Sequence, residues 1–394
     1  MTLAPHIPFS CSLVFQHELA DSPPCQIHPG FTPTWFRQYM ALDYREPWHT
    51  DPELRRRSFV EMGRTLNAQF PELRLGGIPE CATGSISQVR TCAFMGALFG
   101  LGIEYRADTW PDQRCRLLTD EEADALEVPA FRNAQVFEDL MRQMDTIARE
   151  WGQVTGELNF QGVLNTAFRL RGEELFADMA LAPARAHRVL GVVCETMLAV
   201  IDAVYARQAQ SGVARDFFVT ANCVVNMVSP EQYREFVMPY DRKLSAHFPL
   251  FGIHNCAWRV DPYAPAYAEI RELGYLDFGF SSDFALLKRL FPRTTLCAMY
   301  SPVALAHDPE ATVRAELQRL HDAIGRCKII VADIDAGTPR ERLLAVYRIA
   351  SEIWGLPIET LAPPVRHAQP LRARSTRIVA GGTSTGGVSA SKGV

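Results

Sequence analysis

Leu250-Phe251-Gly252-Ile253-His254-Asn255-Cys256 is an apolar run that ends abruptly in a histidine and a cysteine two residues apart. This pattern fits a buried strand whose last residues emerge at the mouth of a barrel. In an extended chain residues i and i+2 point to the same side, so the imidazole and the thiol are expected to converge on one point. Histidine and cysteine are also preferred zinc ligands. The competing reading is a core histidine beside a buried free cysteine, a residue type common in protein interiors.

Outward from this stretch, strand-like and helix-like segments alternate regularly from residue 152 onward. Strands are expected at 153–159, 217–225, 250–254, 276–280, 295–299 and 328–333. Helices are expected at 184–208, 230–248, near 262–273, and at 284–290, 311–324 and 340–354. Upstream, Thr50 or Asp51 caps a helix reaching about Phe70, and Pro71-Glu72-Leu73-Arg74-Leu75 reads as a strand entering Gly76-Gly77. Thr119-Asp120-Glu121-Glu122 is a second cap, and Val136 to Trp151 a long amphipathic helix. Strand-then-helix units imply a parallel sheet. Their number and length favour a single (β/α)8 TIM-type barrel with an irregular, partly helical N-terminal extension. The corresponding boundaries are an irregular lead-in over 1–50 with a short helix near 33–42, a barrel over 51–360, and a tail over 361–394. That tail is basic and then rich in Gly, Ser, Thr and Ala, so it is expected to be disordered. The glycine patterns of nucleotide-binding turns, G-x-G-x-x-G after a strand and G-x-x-x-x-G-K-[ST], do not occur.

Composition narrows the functional classes. The 394 residues are 47% hydrophobic and 22% charged, with a formal charge of −5, which offers no electrostatic reason to bind nucleic acid or an anionic membrane. Ten cysteines are scattered without any C-x-x-C, and several lie in apolar runs, as expected of free thiols in a reducing compartment. The first residues lack the basic start and apolar core of a signal peptide, and no continuous apolar run approaches the roughly 18–20 residues of a membrane helix. A soluble cytoplasmic protein is expected.

Five segments, in order, carry a family resemblance. Gln161-Gly162-Val163-Leu164-Asn165-Thr166-Ala167-Phe168-Arg169-Leu170-Arg171-Gly172-Glu173-Glu174, followed by Asp178 and Ala182-Pro183, resembles a characteristic stretch of the uroporphyrinogen decarboxylase superfamily. That superfamily includes zinc-dependent methyltransferases that act with corrinoid proteins. Ser229-Pro230-Glu231-Gln232-Tyr233-Arg234-Glu235-Phe236-Val237-Met238-Pro239 resembles its S-P-x-x-Y-x-x-F-x-x-P helix, and His254-Asn255-Cys256 its H-x-C. Phe280-Ser281-Ser282-Asp283, and Leu296 to Pro302 with the later Gly337-Thr338-Pro339, resemble its last strands and their loops. The decarboxylases carry an arginine-rich R-Q-A-G-R-Y loop for a polycarboxylate substrate, of which only Phe36-Arg37-Gln38-Tyr39 remains here. The methyltransferase branch is therefore the closer one. It implies zinc held by His254, Cys256 and a third ligand on the last strand, where this chain has Asp333 and Asp335 in place of cysteine. Asp277 is another candidate donor, and capping the final helix or binding an arginine is the alternative role of Asp333 and Asp335. A His/Cys/Asp set is harder and more Lewis-acidic than one with two thiolates, which weakens the case for thiol methylation.

Other residues at strand ends are candidates by position. Glu157 and Asn222 are assigned to catalysis, with Cys223 beside Asn222 at the same strand end. Glu80, Asn159, Asn226 and Tyr300 are assigned to substrate binding, each with a structural alternative such as a loop cap, a satisfied core amide or core packing. Arg169 and Arg171 are expected to brace a helix. The first functional expectation is a zinc-dependent alkyl (methyl) transferase-like enzyme, with a corrinoid as candidate methyl donor. The alternatives are a zinc hydrolase or lyase with Glu157 as general base, a decarboxylase of a small or tetrapyrrole acid, and a non-catalytic binding protein. The resemblance further implies a corrinoid-protein partner and homodimerisation.

Overall fold

The computed structural model describes residues 23–77, 84–114 and 116–362. Its strands are β1 Cys25–Phe31, β2 Gly102–Glu104, β3 Asp112–Arg114, β4 Phe217–Ala221, β5 Leu250–His254, β6 Leu273–Gly279, β7 Thr295–Tyr300 and β8 Cys327–Ile334. Six of them pair in parallel in the order β1-β8-β7-β6-β5-β4, while β2 and β3 form a separate antiparallel hairpin. Two irregular segments occupy the remaining staves. Ser85 bridges Thr155 in parallel, and the Gln161 carbonyl accepts from Ala221 N at 3.2 Å beside β4. The chain is thus an α/β protein, a (β/α)8 TIM-type barrel in which each parallel strand returns through helical chain.

Alternation along each strand separates two interiors. Outward residues such as Ile27, Ile253, Leu276, Phe278, Ala298, Ile329 and Val331 join the large core shared with the surrounding helices. Inward residues Val219, Tyr275, Cys297, Met299 and Ile330 make a small cluster of their own. A polar row crosses this inner face: Ala221, His254, Asp277, Cys297, Lys328 and Gln26 are partners from one strand to the next. Barrel interiors are ordinarily filled by branched aliphatic side chains, so the polar row marks the inside as more than packing.

Local sequence explains the helices. Asp51 accepts from Glu53 N and Leu54 N at the start of Pro52–Gln69. Thr119 with Glu122 and Ser229 with Gln232 form reciprocal capping boxes, each satisfying two otherwise orphaned donors. Helix Pro183–Gln210 buries Val189, Val193, Met197, Ile201 and Val204, each worth about 1.5–3 kcal/mol relative to exposure. Although Glu195 and Asp202 interrupt any continuous apolar run, a window of this helix reaches a mean hydropathy of 1.9, long and apolar enough by composition to cross a membrane. Of that window 56% is buried against the rest of the protein, which accounts for its apolar character.

Other departures have local causes. The lead-in expected before residue 50 contains the first barrel strand, every residue of β1 being buried. Its inward Gln26 and His28 and its Pro29 disguise the apolar alternation, and proline is tolerated at the edge of the assigned sheet. Pro71 to Leu75 is a turn with Leu73 and Leu75 buried, and the strand expected at 153–159 is reduced to the Thr155 bridge. The helix expected over 230–248 is interrupted by a π-helical turn, Tyr233–Val237, and that near 262–273 shortens to Ala264–Tyr267 before β6 begins. The tail beyond Ala362 lies outside the described residues.

Arg171 does brace its helix. Its guanidinium donates to Asp178 Oδ2 at 2.8 Å and to the Leu118 carbonyl at 2.6 Å, and also pairs with Asp120. Arg169 instead reaches Asp112 at 3.4 Å near the surface. Removing one partner of a buried pair strands the other charge, whereas an exposed pair contributes little. Asp178 keeps Arg185 at 3.2 Å when Arg171 is removed, so Arg171→Met is expected to cost about 3 kcal/mol, the lower end for a broken buried pair, and Arg169→Met about 1 kcal/mol or less, measured by urea unfolding.

Candidate metal centre

β5 and β6 place His254 opposite Asp277. His254 Nδ1 lies 2.6 Å from Asp277 Oδ2, which also accepts from the Tyr275 hydroxyl at 2.8 Å, while Asp277 Oδ1 accepts from Asn255 N at 2.7 Å. The carboxylate, fully buried, thereby accepts from Nδ1–H, fixes the ring and turns Nε2 toward the mouth. Cys256 Sγ lies 3.0 Å from that Nε2. The convergence of His254 and Cys256 is as expected, but its mechanism differs. β5 ends at His254, and Cys256 sits in a turn with φ +59°, a left-handed conformation uncommon for a side-chain-bearing residue.

A third side chain able to hold a metal comes from the neighbouring strand end. The ligand atoms of Cys223, His254 and Cys256 all lie within 4.8 Å of one another, and this is the one group of three or more His, Cys, Asp or Glu so arranged among the described residues. The Cys223 turn is held from several sides. Val224 N donates to Asn165 Oδ1 at 3.2 Å, the Cys223 carbonyl accepts from Trp258 Nε1 at 2.9 Å, and Asn222 N donates to the His254 carbonyl at 2.8 Å. The loop after Cys256 rests on β6 at Gly279, where an added Cβ would lie 2.0 Å from the Ala257 carbonyl oxygen.

The electrostatics suit a cation. A hydrogen bond from Cys256, opposed by burial and helped by the imidazolium of His254, holds the Cys223 thiol well below its ordinary value. Cys256 is pushed up, first by that same hydrogen bond and then by burial, so the pair yields one proton readily and resists losing the second. Burial works against charging His254, but Asp277, Cys256 and Cys223 together hold its pKa well above the ordinary histidine range. Two sulfurs and one imidazole with the far nitrogen tied to a carboxylate match a zinc site that keeps one position open. All three residues are partly accessible from solvent.

The family profile described as uroporphyrinogen decarboxylase (URO-D) matches residues 90–350, about two thirds of the chain. The chain belongs to the uroporphyrinogen decarboxylase family. No curated protein matches it. Among solved structures, a methyltransferase from Methanosarcina mazei superposes with a TM-score of 0.61 at 15% identity, covering 85% of this chain and 95% of its own. A B12-independent methionine synthase from Shewanella sp. W3-18-1, solved with selenomethionine, aligns with a TM-score of 0.41 at 12% identity, covering 84% of this chain and 96% of its own. The first likeness is one of fold.

Within this member of the uroporphyrinogen decarboxylase family, several sequence-derived assignments change. Asp333 and Asp335 do not join the cluster. The inward positions of β8 are Lys328, Ile330 and Ala332, so both aspartates have the outward parity, and both are exposed. Asp335 Oδ1 accepts from Thr32 Oγ1 at 3.0 Å and from Ala336 N at 2.8 Å, tying the turn after β8 to the end of β1, whereas helix Arg340–Trp354 starts at Pro339 without a side-chain cap. Asp277 orients His254 instead of adding a ligand. Asn222 is fully buried and donates to Asp241 at 2.9 Å, away from the mouth. Glu157 is paired with Arg215, and Asn159 Oδ1 accepts from Gln161 N at 2.9 Å to close its own loop. Asn226 is exposed in the turn just beyond Cys223, the one substrate-binding candidate so placed among the described residues. Tyr300 packs in the outer core with its ring 4.9 Å from Phe280. Glu80 lies outside the described residues. The cluster member that strand reading did not assign to the metal, Cys223, continues the inward parity of Phe217, Val219 and Ala221.

Two outcomes follow from this geometry. Asp277→Asn should weaken zinc binding about 10–100-fold in chelator competition, because the imidazole loses its anionic orienting partner. Burial, against the hydrogen bonds from Asn222 and Tyr233, pushes the Asp241 carboxyl from 3.8 up to about 6. The folded state thus favours the protonated form. Its contribution to stability is complete below about pH 4 and is lost as pH rises through about 6. Asp241→Asn cannot ionise, so its unfolding free energy should gain on wild type between pH 4 and 7, by up to about 3 kcal/mol, in parallel denaturant titrations.

Proposed function

We propose that this chain is a zinc-dependent alkyl (methyl) transferase of the uroporphyrinogen decarboxylase family, with Cys223, His254 and Cys256 as the metal ligands. The observation that carries the reading is the convergence of these three ligand atoms within 4.8 Å at the mouth of the barrel. Zinc bound there would lower the pKa of a small nucleophile in its open position, a thiol being the species best matched to two sulfur ligands. The chain's own residues do the rest. Asp277 holds the His254 ring in place with Nε2 aimed at the metal position, and the Nε2 proton would be displaced on zinc binding. Trp258 and Met227, 48% and 46% exposed, stand on the loops just after the two cysteine ligands and offer apolar surface to orient the alkyl donor. The Trp258 indole cannot swing freely, because its Nε1–H is bound to the Cys223 carbonyl. In the transfer the thiol would lose its proton to solvent, its sulfur would bond the methyl carbon, and the electron pair of the broken donor–carbon bond would stay with the donor.

The replacement of a carboxylate ligand by Cys223 removes the chemical objection to thiol methylation. The hydrolase reading loses support for a related reason: Glu157, its general base, is engaged by Arg215. A corrinoid protein as donor, a homodimer and a cytoplasmic location complete the proposal. The last is supported by the absence of disulfides among the described cysteines.

Elemental analysis tests the metal. Wild type should carry zinc near one equivalent, and Cys223→Ser and His254→Ala should lose it. Asp333→Ala and Asp335→Ala should keep it. Transfer of the methyl group of methylcobalamin to a small thiol, followed as thioether, should disappear with the metal and return when zinc is restored. A wild-type protein that neither contains nor takes up zinc would sink the proposal.

A further inference from the structure

Behind the two cysteine turns lies a second polar cluster. Asn222 immediately precedes Cys223, and Asn255 lies between His254 and Cys256. Both asparagines are fully buried, and their side chains are bound by the helical layer. Asn222 Nδ2 donates to Asp241 Oδ2 at 2.9 Å, and the same oxygen accepts from the Tyr233 hydroxyl at 2.8 Å. Asn255 Oδ1 accepts from the Tyr267 hydroxyl at 3.0 Å. The Tyr233 and Tyr267 rings meet edge to face with centroids 5.2 Å apart, which joins the two halves. All five residues are 0% exposed.

Stability alone does not explain this arrangement. A buried carboxylate is costly, and a well-packed apolar group of similar volume is often neutral or better. The backbone is also bent to build it. Tyr233 and Asp241 are eight residues apart, which in a regular α-helix would put them about 80° apart around the axis. The π-helical turn Tyr233–Val237 takes up one extra residue and returns them to within about 20° of one face.

We infer that this cluster positions the cysteine pair, with Asp241 acting through Asn222 on Cys223 and Tyr267 acting through Asn255 on Cys256. Asp241 and Tyr267 are positioning residues that touch neither metal nor substrate. The purpose of the cluster rests on the metal-centre reading above, so its test includes a measurement that needs no metal.

Wild type, Asp241→Ala, Asp241→Asn and Tyr267→Phe are compared in two assays. The first measures cobalt(II) affinity and the strength of the thiolate-to-cobalt absorption. The second, on metal-free protein, measures the equilibrium between the Cys223/Cys256 dithiol and its disulfide in glutathione buffers. There one oxidised glutathione is reduced to two thiols, which take the two cysteine protons as the protein S–S bond forms; peptide mass mapping reads the cross-link. Asp241→Ala should lose about ten-fold or more in both assays, and Tyr267→Phe about three-fold or more. Asp241→Asn should stay within about three-fold of wild type, because its amide oxygen accepts from the same two donors. A cooperatively melting Asp241→Ala that matches wild type in both assays overturns the inference. If Asp241→Ala does not fold, an unchanged Tyr267→Phe overturns it equally. A wild type that binds no cobalt but forms the 223–256 disulfide sinks the metal reading alone, and the dithiol equilibrium then decides the positioning role. A wild type that does neither sinks both.

Discussion

The hydrogen bond between His254 Nδ1 and Asp277 Oδ2, 2.6 Å long and set by the pairing of two adjacent strands, is the constraint on which the rest of the site depends. A carboxylate with no exposure is tolerated only when its lone pairs are used. Here Tyr275 and the Asn255 backbone supply two further donors. The acid cannot move without leaving buried donors unpaired, so the imidazole cannot turn. Its second nitrogen is therefore presented at a fixed point, to which both sulfurs are brought.

What brings them is the chain leaving the sheet. Cys223 and Cys256 both sit just past strand ends, where the backbone is no longer committed to ladder hydrogen bonds and can curl. Cys256 adopts a left-handed conformation to do so. Such backbone is stable only when its surroundings over-determine it, and the contacts of Asn222, Asn255, Trp258 and Gly279 do so from the outer side. The barrel thus contributes two things: a rigid histidine from within a strand, and two cysteines on turns that depend on packing for their place.

The inner polar row and the outer polar cluster divide the work. Asp277 and Tyr275 act from inside the barrel on the histidine, whereas Asp241, Tyr233 and Tyr267 act from the helical layer on the turns. Buried polar groups of this kind are costly unless each is satisfied. Their concentration around one strand-end group, with the π-helical turn beside it, distinguishes this end of the barrel from the apolar core that holds the helices.

The sequence by itself determined the strand-helix alternation, most helix caps and the pairing of His254 with Cys256. Those depend on local periodicity and on residues two to four apart. It also placed Cys223 at a strand end, without its role. Three things were decided only by the tertiary structure. The first strand was hidden because its inward face is polar, so periodicity failed where the barrel interior is least ordinary. The third member of the cluster was sought at Asp333 or Asp335 because both share a parity, and only the assembled barrel shows that Ala332 packs with the inward residues while Cys223 meets His254 and Cys256. The links from Asp241 and Tyr267 join residues of distant segments whose proximity no local spacing encodes. Inward or outward is a property of strand register, and register is settled when the sheet assembles.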